Sequence, residues 1–354
     1  MTLRFLGTGD LQVGNWKQFN VLRPDGHGSR LHHCLQIFRL LRKEAERRNI
    51  DKVLINGDIF EKNGVLEVEV FDAVYQEVEK MHSAGIDVVM NIGNHDVTRA
   101  ASEFLPSLHS LRIFNRIATT VETPRLVWKN LYVIPWMADS NAMLSAIDNI
   151  HNEYKTGNMA LALHVGITGA KAGTGQALPG KLHLGDIHPE RFQLILLSDY
   201  HHHQWIGKNA FYLGSPMQHS FGETHKGCVW EISIGEHNTK VVPIPTNRPE
   251  FHWISIRHLS DAKHFFRKFP KDYFRVQILP AKRRIESSDL QKLARQYGCL
   301  VQVENAPVYE KGSIQQPVLA EGGMHRLLRD YVKKNTLKER HRLSNLGNHI
   351  LNSV

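Results

Sequence analysis

The sequence predicts an α/β chain built on side-by-side β-α-β units, followed by a smaller α+β unit. Apolar β-forming runs alternate with helical periods from residue 3 to about 235. Most of those runs end at or next to a Gly that adjoins an Asp, Asn or His. Near Pro249 the alternation stops and shorter elements rich in Lys and Arg follow. A chain of 354 residues is long enough for one large domain and one small one.

Leu3 to Leu6 reads as a short buried strand, closed by Gly7-Thr8-Gly9 and then Asp10-Leu11-Gln12. Asn15 to Gly28 reads as a surface loop, and Ser29 is expected to cap a helix running to about Asn49, with Leu31, Leu35, Phe38, Leu41 and Ala45 at helical spacing. A strand from Lys52 to Ile55 ends at Gly57-Asp58-Ile59-Phe60-Glu61. The helix from Val68 to Ser83 then feeds a strand at Val88 that breaks at Gly93 and delivers Asn94, His95 and Asp96. Ser102 to Ile117 reads as helical or irregular, Leu131 to Ile134 as a strand and Met143 to Tyr154 as a helix. Met159 to Leu163 is a strand ending at His164, and Leu194 to Leu197 one ending at Asp199, Tyr200 and His201. Phe211 to Phe221 and Gly227 to Ile234 read as a strand pair. These elements make a first domain of residues 1–245. In the second, 246–308, strands at 252–257, 274–279 and 299–303 flank helices at 261–269 and 288–297. Residues 309–354 form a linker and a basic, partly amphipathic helical tail.

Cys34, Cys228 and Cys299 stand far apart with no CxxC spacing, which supports neither a disulfide framework nor a zinc ribbon and points to a reducing, cytoplasmic compartment. No apolar run approaches the ~18 residues of a membrane span, and no signal peptide is expected. The net charge of +9 favours a polyanionic partner without proving one.

The polar residues at the strand ends carry the chemistry. Open α/β sheets place their sites at the carboxyl edge of the strands. Asp10, Gln12, Asp58, Asn94, His164, Asp199 and His201 make a mixed oxygen and nitrogen set without thiolate, suited to hard divalent ions such as Mn²⁺ or Mg²⁺. The set is too large for one ion and fits two that share a carboxylate, the arrangement used to clamp a phosphoryl group during in-line displacement. His95 can move a proton near neutral pH, and Asp96 is placed to fix its tautomer. Between Lys263 and Arg295 basic residues interleave with aromatic ones such as Phe266, Tyr273 and Phe274. That stretch suits either a solvated face or a surface that follows a nucleic-acid backbone.

The ordered series GDLQ, GDIF, GNHD, LHVG and SDYHHHQ, with HVGITGAKAG and FYLGSPMQHSFGE beyond, resembles the calcineurin-like metallophosphoesterases, most closely the branch of the Mre11 and SbcD nuclease subunits. The resemblance covers residues 3 to 235. It implies a four-layer α/β/β/α sandwich with a small α+β cap and a C-terminal helical tail. One ion would be held by Asp10, Gln12, Asp58 and His201, the other by Asp58, Asn94, His164 and Asp199, with Asp58 bridging. His95 would be the acid, held by Asp96. The reaction implied is Mn²⁺- or Mg²⁺-dependent 3′ to 5′ exonuclease action on DNA in recombination and repair, with some endonuclease action. The partners implied are a second copy of the chain and a Rad50- or SbcC-type coiled-coil ATPase docked on the tail. Lys268, Arg275, Lys282, Arg283 and Arg284 would guide the DNA.

Three positions depart from the family pattern: Gln12 and Asp199 stand where ligand histidines are usual, and Glu61 where many nuclease members have a second His. The swaps exchange imidazole for oxygen and shift the site toward Mn²⁺ or Mg²⁺. The alternatives are a phosphodiesterase or phosphatase of small substrates and a catalytically weak DNA-binding scaffold.

Overall fold

The computed structural model describes residues 2–305, apart from 63, 64, 66, 101, 102, 154–158, 173, 174, 237 and 281–284. The tail expected at 309–354 and the basic residues Lys282, Arg283 and Arg284 lie outside the described residues.

In chain order, β1 (Leu3–Thr8), α1 (Ser29–Arg48), β2 (Lys52–Asn56), α2 (Val68–Ser83) and β3 (Asp87–Asn91) form the leading β-α-β-α-β run. A hairpin of β4 (Val97–Ala100) and β5 (Glu103–His109) follows, then β6 (Thr119–Val121), β7 (Arg125–Trp128), β8 (Leu131–Ile134), α3 (Ser140–Glu153), β9 (Ala160–His164) and β10 (Leu194–Ser198). The next strands are β11 (Gln204–Ile206), β12 (Ala210–Tyr212), β13 (Cys228–Ile234) and β14 (Thr239–Pro245). The last elements are β15 (Phe251–Ile256), α4 (Leu259–Lys268), β16 (Tyr273–Ile278), α5 (Ser287–Gln296) and β17 (Leu300–Asn305).

Among the described residues two six-stranded sheets form, in the orders β14-β13-β1-β2-β3-β6 and β11-β12-β10-β9-β8-β7. In the first, β1, β2, β3 and β6 run parallel; in the second, β8, β9, β10 and β12 do. Their central strands are apolar on both faces because each face is covered. Phe5, Leu54 and Val89 meet Ala160, Ala162, Leu194 and Leu196 between the sheets. On the outer face of the first sheet Leu31, Leu35 and Phe38 of α1 and Val74, Val78 and Met81 of α2 cover Leu6, Val53, Ile55 and Met90. Met143, Ile147 and Ile150 of α3 cover Leu161, Leu163, Ile195 and Leu197 on the second. Helix, sheet, sheet, helix is the expected sandwich. The three cysteines are buried free thiols, and no helix among the described residues is long and apolar enough to cross a membrane.

Residues 251–305 add a three-stranded sheet, β15-β16-β17, with α4 and α5 on one face and a hydrophobic cluster of its own around Phe266, Phe274, Val276 and Leu290. It sits in the same compact unit as the sandwich, residues 1–304. Arg30 is at this junction, a buried guanidinium 4.9 Å from the Trp16 ring, 5.1 Å from Phe251 and 5.6 Å from Tyr273.

Three expectations about elements are corrected. Ser29 is the first residue of α1 and not its cap: Gly28 holds the cap position, and the Ser29 hydroxyl accepts the Val21 N–H at 3.0 Å. The stretch after Ser102 is not helical at its start, because β5 pairs with β4; cross-strand bonding overrides a weak local period. The presumed pair after Phe211 is split between sheets: β12 lies between β10 and β11, whereas β13 lies between β1 and β14. Apolar alternation marks a strand without naming its neighbour.

Candidate metal centre

The carboxyl ends of both parallel sets open on one pocket. Asp10 follows β1, Asp58 follows β2, Asn94 follows β3, His164 closes β9 and Asp199 follows β10. Carboxylate oxygens of Asp10 and Asp58 and a ring nitrogen of His164 all lie within 4.8 Å of one another, and all three residues are buried. Asp10, Gln12, Asp58 and Asp199 have φ of 49°, 43°, 51° and 108°. That left-handed backbone is costly for side chains bearing Cβ, and it turns the chain sharply so that each polar group is brought back to the strand ends. Two glycines make room. A Cβ on Gly57, itself at φ +90°, would overlap the His164 ring, and one on Gly93 would overlap the Asp58 carboxylate and backbone nitrogen.

Hydrogen bonds then fix each group. The His164 Nδ1–H donates to the Asn56 carbonyl at 3.0 Å, so Nε2 faces Asn94 Oδ1 at 3.0 Å and Asp58 Oδ1 at 3.3 Å, with Asp199 Oδ1 at 3.8 Å. Three acceptor oxygens thus face one imidazole nitrogen, and a shared cation satisfies all of them. Asp10 accepts the Asp199 N–H through both oxygens, at 3.1 and 3.3 Å. His201 Nδ1 donates to Glu223 Oε1 at 2.7 Å, the carboxylate–imidazole pairing that orients metal-ligating histidines. Beneath the pocket Asn56 Nδ2 donates to the Leu163 carbonyl and the Ser198 hydroxyl, while Asn91 Nδ2 donates to Asn56 Oδ1 and the Ile134 carbonyl. This amide ladder joins the two sheets at the edge that holds the site.

The electrostatics are those of a cation site. Burial drives the Asp10 carboxyl up to about 7, with Asp58 and Asp199 pushing the same way and His164 and His201 pulling against it. Burial also raises Asp199. Asp58 is lowered: burial opposes its ionisation, but the charge and hydrogen bond of His164 overcome it. Burial opposes the charge on His164 and His201 too. The carboxylates around His164 raise it well above the usual imidazole range, and Glu223 with Asp10 raises His201 to about 9. Protons on these two rings supply positive charge that the carboxylates require, and divalent ions with oxygen and imidazole ligands fit the same place.

The other expected residues fall around this core. The backbone of Gln12 donates to the Asp58 carbonyl at 2.9 Å and accepts the Trp16 indole N–H at 3.3 Å. His95 stands at the rim, its backbone N–H on Asp58 Oδ1 at 2.9 Å and its Nε2 4.0 Å from Asp58 Oδ2. Asp96 does not hold the His95 ring. Its carboxylate, raised to about 7 chiefly by burial, accepts the backbone N–H groups of Ile59, Phe60 and Gly93 and so braces the Asp58 loop. The His95 ring is held by the backbone carbonyl of Glu61, to which Nδ1–H donates at 2.5 Å. The Glu61 carboxylate lies beside Gly14.

The expected basic and aromatic surface is revised as well. Phe266, Phe274 and Tyr273 are buried packing residues. Arg275 is paired with Glu304 at 3.2 Å, while Lys268 is exposed with its ammonium over the Phe269 ring.

The sequence did not single out Glu223, although it is the last residue of FYLGSPMQHSFGE. Of His202, His203, His219 and His225, which the sequence leaves either lining the site or decorating its rim, His219 reaches it, its buried ring lying between the Ser215 hydroxyl and the Asp10 carbonyl; Lys181, whose charge acts on Asp199 and whose ammonium lies 4.5 Å from the Trp136 ring, is a further residue that the sequence did not point to. A ligand histidine calls for a carboxylate or carbonyl partner, so Glu223 had a signal to search for. Lys181 had none.

Residues 3–160 match the family described as calcineurin-like phosphoesterase. The matched stretch runs from β1 to the start of β9 and includes Asp10, Asp58 and Asn94. Two curated viral relatives are similar to it. "Putative phosphoesterase 078R" of Invertebrate iridescent virus 3 is 19% identical over 220 residues, 61% of this chain and 60% of that one. "Putative phosphoesterase 244L" of Invertebrate iridescent virus 6 is 25% identical over 231 residues, 62% and 76% of the two chains. The chain thus spans three fifths of the first relative's length. A crystal structure of a dimetal phosphatase from Danio rerio is similar over 68% of this chain and 98% of that one, at 10% identity and a TM-score of 0.36, too distant to bear on the site.

Proposed function

We propose that this protein is a metal-dependent phosphoesterase and, more narrowly, a DNA nuclease with two divalent ions, Mn²⁺ or Mg²⁺, that removes nucleotides from 3′ ends and cuts internally to a lesser extent. The observation that carries it is the meeting of Asp10, Asp58 and His164 in one buried pocket, with Asn94 and Asp199 on the same imidazole. Asp10, Gln12, Asp58 and His201 would hold one ion and Asp58, Asn94, His164 and Asp199 the other. Bound ions supply a Lewis-acid clamp on the phosphoryl oxygens and a lowered pKa for the attacking water.

The chain's own residues position and protonate. With Nδ1 held by the Glu61 carbonyl, the His95 Nε2 lies beside Asp58, placed to give a proton to the leaving oxygen of a bound phosphodiester. Asp96 and Gly93 keep the Asp58 loop against the strand ends. Lys181 places positive charge on the Asp199 side, where a phosphate would sit. The absence of thiolates from the set supports the hard-ion reading, and the net charge of +9 supports a polyanionic substrate. A cytoplasmic location, a homodimer and a Rad50- or SbcC-type ATPase belong to the same proposal and rest on the resemblance of the motif series.

The test is end-labelled duplex DNA incubated with Mn²⁺ and the wild-type chain, with Asp58→Ala and His95→Ala beside it. Progressive loss of label with wild type alone is expected. Hydrolysis of a small phosphodiester with DNA left intact, or tight DNA binding without turnover, overturns the proposal.

A further inference from the structure

We propose that the open end of the β15-β16 face is a stacking platform for an unpaired DNA strand, with Trp253 and Arg275 as its reading surface. The inference rests on the nuclease reading and specifies the form of substrate.

Phe251, Trp253 and Ser255 point to one face of β15 and stand in register with Tyr273, Arg275 and Gln277 of β16. The inner end of that face is buried: Phe251 and Tyr273 pack around Phe19, at 5.8 and 5.5 Å between ring centroids, and around Arg30. The outer end is open, and Trp253 is 59% exposed. Between the two ends the Arg275 guanidinium lies 4.3 Å from the Phe221 ring and 5.5 Å from the Trp253 ring. Phe221 is two residues from His219, whose Nε2 lies 3.2 Å from the Asp10 carbonyl. A series of planar groups therefore leads outward from residues that touch the metal centre to an indole in solvent.

The chemistry of the series selects its occupant. Glu304 pairs with Arg275 at 3.2 Å, which offsets the charge of the guanidinium. A guanidinium so paired is a poor phosphate clamp and a good stacking surface. An exposed indole beside it offers a second π face, and every base has one. Ser255 donates to Gln277 Oε1 at 3.0 Å, leaving the Gln277 amide N–H groups for a base edge. Lys263, Arg267, Lys268 and Lys271, exposed elsewhere on the same small unit, supply the long-range attraction for a polyanion. In duplex DNA the base faces are covered by their neighbours, so the platform fits an unpaired strand.

Fluorescence anisotropy of a labelled oligothymidine, and of a blunt duplex, on the full chain with EDTA present tests this without cleavage. Trp253→Ala is expected to weaken single-strand binding about 5- to 100-fold, Trp253→Phe to restore most of it, and blunt-duplex binding and Mn²⁺-dependent hydrolysis of bis-p-nitrophenyl phosphate to stay at wild-type level. The proposal is overturned if the wild type does not bind the single strand, if Trp253→Ala binds it as the wild type does, or if the substitution weakens both DNA forms equally. The nuclease reading fails on a different result, intact DNA after incubation with Mn²⁺.

Discussion

The His164 ring gives its Nδ1 proton to the main-chain carbonyl of Asn56 at 3.0 Å, and that bond decides which nitrogen meets the carboxylates. Because a backbone atom does the fixing, no side-chain change at position 56 removes the acceptor itself. His164→Ala removes the ligand. Calorimetric titration with Mn²⁺ should show one high-affinity equivalent lost and the other retained more weakly, with turnover reduced in step.

Glu223→Gln leaves His201 in place and takes away the charge that orients it. Loss of such a partner lowers metal affinity or activity roughly 10- to 100-fold. Raising Mn²⁺ in the assay should recover most of the rate, whereas His201→Ala should not be rescued.

His95→Asn should retain both ions and lose about 10²- to 10⁴-fold in kcat on an unactivated phosphodiester, the range for a placed general acid. On a substrate with a nitrophenolate leaving group, which needs no proton, the loss should shrink. An equal loss on both substrates would place His95 in binding rather than in proton transfer.

The metal-free protein has an inverted response to pH. Asp10 in the folded chain is raised from 3.8 to about 7 and His201 from 6.5 to about 9. A raised folded-state pKa means that the folded state binds more protons. The stability is therefore present below the unfolded value and is lost as pH rises through the folded one. For Asp10 that window runs from about pH 4 to 7 and for His201 from about pH 6.5 to 9. Glu223, lowered from 4.5 to about 2 by its bond to His201 against the pull of burial, contributes in the opposite sense and only below pH 4.5. Thermal unfolding in EDTA should thus fall by roughly 5–10 °C between pH 6 and 9, and saturating Mn²⁺ should remove most of that slope.

Arg30→Ala should destabilise the chain by about 2–4 kcal/mol in urea unfolding, because a buried guanidinium packed against Trp16, Phe251 and Tyr273 is replaced by a void. Arg30→Lys should recover little, since an ammonium cannot stack on three rings or reach the His219 carbonyl in the same plane.

The residues most legible in the sequence were those whose position along a strand already implies their place. Asp10, Asp58, Asn94 and His164 each follow or end an apolar run, and a parallel sheet brings such ends to one edge. The helix over Val68–Ser83 and the strand over Leu131–Ile134 were legible for the same reason, strong periodicity bounded by breakers. Asp96 was misread because adjacency to His95 suggested a contact, whereas the turn at Gly93 directs its carboxylate to the Asp58 loop. The aromatic residues of the small unit were misread because alternation shows that a strand has two faces without saying which one is covered. Glu223, His219 and Lys181 reach the site from loops, where spacing along the chain carries no geometric information.

The amide ladder of Asn56 and Asn91 has a consequence for the order of events during synthesis. Each sheet alone presents only part of the ligand set, and the ladder closes only when carbonyls at 134 and 163 and the hydroxyl at 198 have arrived from the second sheet. A nascent polypeptide that has emerged as far as Asn94 holds Asp10 and Asp58 yet lacks Asp199 and the histidines that complete the cage. The cation cage is therefore incomplete until the chain through residue 201 has been made and folded, so a shorter product would bury two carboxylates without the imidazoles that balance them.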